Sequence, residues 1–450
     1  MKYFTQTNNK GKYERPPDLY EYFVDNFWFK AADLENQQIN EPLRGSQNAD
    51  VVILGGGYTG LSAAFHIRQK FPDKKIVLLE GACCGYGASG RNGGFCISTD
   101  LIRELDSDDP EERQDHLDVS LYGIQFIKRM ISEYGVECDF EENGMLGVAL
   151  KENHIQELKE YQEKLESFNL KSDFLGKEEL KSEVISPMFL AGLNIPHGAI
   201  LNPAKLAREM KRVVEGLGVE LFERSVVTRI TPGKVNLIDT ELGEVRAPVM
   251  VLALNAYAGK LGFFKNHYLP VSVFQIATEP LSDVQWESIG WQNRQGLYDM
   301  RNMFSYLVLT AERRIVIGGS GAAYYNDALC AGNDKSMTRK VLKDLFAFFP
   351  SLEGLKIEHA WGGTTTYTLD RTPSVGVIGD HNNIFYGVGL SEGVPTTQTF
   401  GRIIADLMAG ESNQFTNHYV VNHRLPYAGP VPLRGLFGRG AKWMWEKFDA

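Results

Sequence analysis

Residues 50–94 read DVVILGGGYTGLSAAFHIRQKFPDKKIVLLEGACCGYGASGRNGG, and their order decides the fold. Residues 50–54 are a short apolar run bounded by glycine, the pattern of a buried parallel strand. Gly55, Gly57 and Gly60 follow at G-x-G-x-x-G spacing, with Tyr58 and Thr59 between them. In such a turn the first glycine permits the bend, the second lets the backbone close on a pyrophosphate, and the third lets helix pack on strand. The helix expected over 61–70 aims its free N–H groups at the phosphates. A second apolar strand, 76–79, ends in Glu80, about 20 residues past Gly60, where a carboxylate holds ribose hydroxyls and repels a 2′-phosphate. A lone glycine-rich turn says little. Strand, glycines, helix, strand and terminal acid in register point to a dinucleotide of NAD or FAD type and against NADP. The loop that follows, 85–94, is rich in glycine with Ser89, Arg91 and Asn92, a run of backbone donors suited to a second part of that ligand or the edge of a flavin ring.

Working outward, 450 residues suggest two or three domains. A net charge of −10 argues against a nucleic-acid partner, which needs a basic face. No run approaches the ~18 apolar residues of a membrane span, and the N-terminus lacks the apolar core of a signal peptide. The five cysteines (Cys83, Cys84, Cys96, Cys138, Cys330) are an odd number without a C-x-x-C pair, so thiols in a cytoplasmic protein are expected. Cys83 and Cys84 read as small loop residues near the ligand. The nine histidines form no H-E-x-x-H cluster, and no metal site is expected.

Along the chain, residues 19–29 suggest an aromatic helix on the surface and 37–48 a linker. Residues 109–134 are an amphipathic helix with Leu117, Leu121, Ile124, Ile127 and Ile131 on one stripe. Further helices are expected over 155–168, 203–216, 336–349 and 396–409. Strands are expected over 145–150, 219–222, 226–230, 235–238, 249–254, 374–378 and 384–387. Residues 268–319 alternate apolar and polar, the mark of an antiparallel sheet in a second domain. The fold class is therefore α/β: a Rossmann-like, doubly wound and discontinuous domain with an inserted antiparallel-sheet domain.

Several strings, in order, resemble the FAD-dependent glycine/D-amino-acid oxidase (DAO) family and its γ-glutamylputrescine oxidase-like branch. They are GGGYTGLSAA with Glu80, GASGRNGG (87–94), ILNPAKLA (200–207), SVVTRI (225–230), LALNAYAG (252–259), QIATEPL (275–281), YDMR (298–301), IVIGG (315–319), WGGTTTYTLDRTPSVG (361–376) and FYGVGLSEGV (385–394). The resemblance implies FAD along the doubly wound sheet and a small amine substrate beneath the inserted sheet. It assigns Gly55, Gly57, Tyr58, Thr59 and Gly60 to the pyrophosphate and Glu80 to the adenosine ribose. Gly87, Ala88, Ser89, Arg91, Asn92, Gly93 and Gly94 would line the ribityl chain and ring, with Val227 at adenine and Ala253 and Asn255 near the phosphates. Gly389, Leu390, Ser391, Glu392, Gly393 and Val394 would face the pyrimidine edge. The implied division is an extension (1–45), an FAD-binding domain (46–135, 197–262, 357–415), a substrate domain (136–196, 263–356) and a tail (416–450).

Three departures narrow the reading. Arg91 stands where some relatives carry a flavin-linking histidine and Gly363 near where others carry a linking cysteine, so non-covalent FAD is expected. The Y-x-R of many roof strands is Tyr306-Leu307-Val308 here, which disfavours a simple α-amino acid unless Arg301 substitutes. Glu392 lies near the usual histidine, where it either orients a cationic amine or forms a salt bridge. Tyr306 and Tyr298 are the candidates for the substrate roof, with Arg301 or Glu392 orienting polar ends. The expected chemistry is hydride transfer from the amine carbon to flavin N5, then imine hydrolysis, with O2 or a quinone or carrier taking the electrons. An FAD dehydrogenase of a 2-hydroxy acid or polyol is the alternative, and a flavoprotein that only binds a partner is a third. Residues 433–448 mix basic and aromatic residues, and contact with a membrane surface is weighed there against packing on the chain itself.

Overall fold

The computed structural model describes residues 25–34, 36, 38–97, 110–325, 329, 332–391, 393–430 and 434. Cys330, Glu392 and nearly all of 433–448 lie outside the described residues, as do 1–24.

Five parallel strands form the first sheet, in the order Ile384–Val388, Val249–Leu252, Val51–Leu54, Ile76–Leu79, Glu220–Phe222, with Ser374–Ile378 antiparallel at one edge. Strand side chains alternate between faces. Val51, Ile53, Ile76, Leu78 and Val251 therefore pack against the helices Tyr58–Lys70, Pro110–Tyr134, Pro203–Gly216 and Val394–Ala409. Val52, Leu54, Val77, Leu79, Met250 and Leu252 face a small sheet of Gly45–Asn48, Val227–Thr231, Asn236–Thr240 and Gly243–Ala247. Both faces are covered, which is why these strands read as unbroken apolar runs. From Val51–Leu54 the chain leaves to one side and returns on the other, making a switch point at the strands' carboxyl ends.

The second sheet has eight strands in the order Ile357–Tyr367, Leu269–Thr278, Ile315–Gly319, Ser305–Leu309, Gly296–Asp299, Met145–Ala149, Ala191–Ile195, Asp173–Gly176. One face (Leu146, Leu297, Leu307, Ile317, Ile276) is buried under the helix Lys335–Phe348. The opposite face carries, directly across the strands, the row Gly147, Tyr298, Tyr306, Gly318, Gln275 and Trp361. This inner row looks back toward the first domain.

Three expectations are revised. Ile357–Tyr367 pairs along the length of Leu269–Thr278 and belongs to the second sheet, so the return to the first domain comes after Tyr367 and not at 357. Gly45–Asn48, inside the expected linker, is a strand parallel to Gly243–Ala247. Within 19–29 the described helix begins at Phe27 and runs to Ala31, and it does not lie on the surface: Phe27, Trp28 and Phe29 are buried against Val308, Val316, Ala277 and Trp361 of the inner face. The helical stripe holds, with Leu117 and Leu121 in one core cluster and Ile124, Ile127 and Ile131 in another.

Candidate functional site: a flavin cradle under a sheet

The site starts at the carboxyl end of Val51–Leu54. Gly55 sits at φ +106, and a Cβ there would stand 2.5 Å from the Ala253 carbonyl oxygen, so the turn at the switch point requires glycine. Ala253 is held beside it through its N–H to the Leu54 carbonyl (2.9 Å). The helix Tyr58–Lys70 has Gly57 as its N-cap with no side-chain cap, which leaves donors open to an anion. The Tyr58 N–H reaches the Ser89 hydroxyl (3.0 Å), tying the first turn to the second loop, while the Tyr58 ring is buried with its hydroxyl on the Pro203 carbonyl (2.8 Å). Thr59 is buried against Gly387 of the neighbouring strand.

Glu80 accepts hydrogen bonds from the N–H groups of Gly56 (2.7 Å) and Ala82 (2.9 Å). Burial pushes its pKa up to about 7, partly offset by those bonds, with the Glu223 charge adding to the rise. It is a desolvated acceptor at a strand end, suited to ribose hydroxyls. The stretch after it is anchored by Glu223, fully buried, which pairs with Arg208 (2.7 Å) and Lys211 (2.6 Å) and accepts from the Cys84 N–H (2.7 Å). Burial works against that carboxylate, but the two cations outweigh it and hold its pKa below the ordinary value. Val227 opens its strand just beyond Ser225, whose N–H bonds the Glu80 carbonyl (2.8 Å).

The second loop turns through a short 3₁₀ helix, Ala88–Gly90, after Gly87. The Asn92 side chain stitches it, donating to the carbonyls of Ala88 (3.3 Å) and Ser89 (2.9 Å) and accepting from the Gly94 N–H (2.9 Å). Arg91 is buried over the Tyr86 ring (4.5 Å), donates to the Gly362 carbonyl (3.2 Å) and lays its stem on Gly363. A Cβ on Gly93 would meet the Tyr306 ring at 2.5 Å, so the roof strand rests directly on this loop. Across the cradle, Asn255 donates to the Leu390 carbonyl (3.2 Å), as does Thr365 (2.8 Å), and Asn255 accepts from Thr366 (2.5 Å). Ser391 turns back through its N–H to the Gly389 carbonyl (3.1 Å), and Gly393 starts the helix Val394–Ala409 with no side-chain cap.

The candidate substrate residues separate. Tyr298 and Tyr306 are direct cross-strand partners on the inner face. Arg301 is not with them: it pairs with Asp299 and Asp344 (2.7 Å each), lies over the Phe348 ring and bonds Ser305 (3.1 Å). Asp299 and Ser305 each neighbour an inward tyrosine in sequence and so point to the other face, so Arg301 serves the back of the sheet. Burial penalises its cation, but the two aspartates more than compensate and raise its pKa. Sequence reasoning missed Gln275 and Trp361 as individual site residues, along with Asn26, Trp28 and the Arg208–Lys211–Glu223 cluster. The i, i+3 spacing of Arg208 and Lys211 was the available signal for the last.

FAD fits this set: a glycine turn that admits close backbone approach, two uncapped helix starts, and a desolvated acid at the ribose position. Among the described residues no group of three or more His, Cys, Asp or Glu could hold a metal ion, and no helix is long and apolar enough to cross a membrane. The turn, the acid and the sheet-roofed loop define a dinucleotide-binding oxidoreductase. The chain matches the DAO family, FAD dependent oxidoreductase, over residues 50–407, and it belongs to that family. It is 31% identical over 405 residues to gamma-glutamylputrescine oxidoreductase of Escherichia coli (88% of this chain, 92% of that one). It is also 31% identical over 410 residues to a probable oxidoreductase, OrdL, of Haemophilus influenzae (88% and 91%). Among solved structures, glycine oxidase from Geobacillus kaustophilus shares the fold with a TM-score of 0.72 at 18% identity (84% of this chain, 100% of that one). The protein is an FAD-dependent enzyme of the amine and amino-acid oxidoreductase type.

Proposed function

We propose that the enzyme oxidises a primary or secondary amine whose reacting carbon bears no carboxylate. The observation that carries this is the inner row: Tyr298, Tyr306, Gln275 and Trp361 offer aromatic and amide groups, and Arg301 is committed to two aspartates behind the sheet. A carboxylate beside the reacting carbon would find no guanidinium among the described inner-row residues, and leaving it unpaired in a partly dry site is costly. The likeness to gamma-glutamylputrescine oxidoreductase supports an amine substrate: that compound carries one primary amine on the unsubstituted carbon of its putrescine end and another beside a carboxylate at its glutamyl end.

Gly55, Gly57, Tyr58, Thr59 and Gly60 would hold the pyrophosphate, Glu80 the ribose, Val227 the adenine, and the 87–94 loop with Gly389, Leu390, Ser391, Gly393 and Val394 the ring. Bound there, FAD supplies a two-electron acceptor for the hydride on the carbon next to nitrogen. Tyr306 keeps its proton, because burial drives its pKa upward, so it serves as wall and donor and not as base. The amine must arrive neutral, and the tyrosine row orients it and sheds water. Arg91 and Gly363 offer no nucleophile, which supports non-covalent FAD.

The test is anaerobic bleaching of the bound flavin by a panel of substrates. Terminal alkylamines and their γ-glutamyl derivatives should bleach it, and glycine or D-alanine should not. Bleaching by 2-hydroxy acids or polyols with none by amines would move the enzyme to the alternative class. Readmitting air then separates O2 from a quinone or carrier as acceptor.

A further inference from the structure

Three consecutive carbonyls in the second loop are each captured by a side chain from elsewhere. Gly90 O accepts from Asn26 Nδ2 (3.3 Å). Arg91 O accepts from Trp361 Nε1 (3.1 Å) and from Gln275 Nε2. Asn92 O accepts from Trp28 Nε1 (2.9 Å). A glutamine facing a carbonyl must present its NH2 end, which settles the orientation of Gln275. Gln275 is 3% exposed, Trp361 1% and Trp28 3%, so these are fixed groups and not surface contacts.

A trans peptide points its N–H opposite to its C=O. Pinning the carbonyls of Arg91 and Asn92 toward the inner sheet and the Phe27–Ala31 helix therefore turns the N–H groups of Asn92 and Gly93 away from those partners. Among the described residues neither N–H has an acceptor, whereas Arg91 N–H bonds Ala88 O and Gly94 N–H bonds Asn92 Oδ1. Partly buried N–H groups are rarely left without a partner. Successive free N–H groups make a concavity for negative charge.

We propose that Gln275, Trp361 and Trp28 are positioning residues for the flavin. By clamping the carbonyls of Arg91 and Asn92 they preorganise the N–H groups of Asn92 and Gly93 as a donor pair for the ring, stabilising the negative charge it gains on two-electron reduction. Two donors on the Arg91 carbonyl also polarise its peptide and strengthen the Asn92 N–H. The inference rests on FAD binding and not on which amine is oxidised.

The test uses the flavin-loaded enzyme with Gln275→Leu, Trp361→Phe and Trp28→Phe. The phenylalanine variants keep an aromatic ring in place but lose the N–H donor together with the indole's second ring. Each should lower the two-electron midpoint potential, a shift of about tenfold in the oxidised-to-reduced equilibrium corresponding to ~30 mV. The Gln275→Leu/Trp361→Phe double variant should move further than either single one. Should a variant fail to fold or load FAD, amide hydrogen exchange on the wild-type chain decides instead: Asn92 and Gly93 should exchange much more slowly once FAD is added. Unchanged potentials in loaded variants, or equal exchange with and without FAD, overturn the proposal. A negative amine panel touches neither readout, so the two conclusions fail separately.

Discussion

Glu80 is the residue at which ligand binding and pH meet. Without ligand its carboxyl has a pKa of about 7, because burial outweighs its two backbone bonds. Ribose hydroxyls donate to the ionised form, so binding should pull that value down and release a proton near neutrality. FAD affinity should therefore tighten as pH rises from about 6 to 8. Calorimetry in buffers of different ionisation heat should show the proton released. Glu80→Gln keeps the shape and cannot titrate, so its weaker binding should be flat across the same range; a wild-type affinity independent of pH would remove Glu80 from the ribose site. Arg301 shows the limit of single-residue reading. The string YDMR offers a free arginine beside a tyrosine, yet buried Asp299, two residues earlier, captures it on the far face of the sheet.

At the scale of elements, the helix Pro203–Gly216 is fastened to the cofactor stretch through Glu223. Removing that carboxylate leaves Arg208 and Lys211 buried without it and strips the Cys84 N–H of its acceptor. Glu223→Ala should cost about 3–5 kcal/mol, read by urea unfolding of the apoprotein. Glu178→Ala removes only the exposed pair with Lys181 and should leave the curve unmoved. Comparable effects of the two would mean that the buried cluster is not anchoring the stretch. The first sheet and its glycine turn were legible because their signals are local: apolar runs, a fixed glycine spacing and an acid at a strand end. The inner row was not, because cross-strand register depends on pairing between residues as far apart as Gly147, Tyr306 and Trp361. Ile357–Tyr367 hid for another reason, its glycines and threonines lacking the alternation that marks a half-buried strand. The Phe27–Ala31 wedge looked like a surface helix because its aromatic residues name no partner until the loop and the second sheet enclose them.

At the scale of the whole molecule, two buried histidines set the response to acid. His66 donates from Nδ1 to the Ser62 carbonyl (2.7 Å) and pairs through Nε2 with the Tyr122 hydroxyl (2.7 Å). His418 pairs with His116 (2.8 Å), joining the segment after the last long helix to Pro110–Tyr134. Burial, and for His418 also the neighbouring His116, lowers both pKa values to about 3. An unfolded imidazole titrates near 6.5, so between about 6.5 and 3 the unfolded chain binds protons that the native chain refuses. Stability is then full above pH 6.5 and falls as pH drops, by about 1.4 kcal/mol per pH unit for each histidine. Glu80 runs the opposite way in the apoprotein. Its native pKa lies above the unfolded value, so it adds stability as pH falls from about 7 to 4.5 and offsets one of the two histidines. Denaturation of the apoprotein between pH 6.5 and 5 should thus show a shallow slope, and Glu80→Gln should steepen it toward the full two-histidine value. Adding His66→Gln to Glu80→Gln should return the slope to a single histidine's. A Glu80→Gln slope no steeper than wild type would show that the carboxyl is already ionised in the native apoprotein.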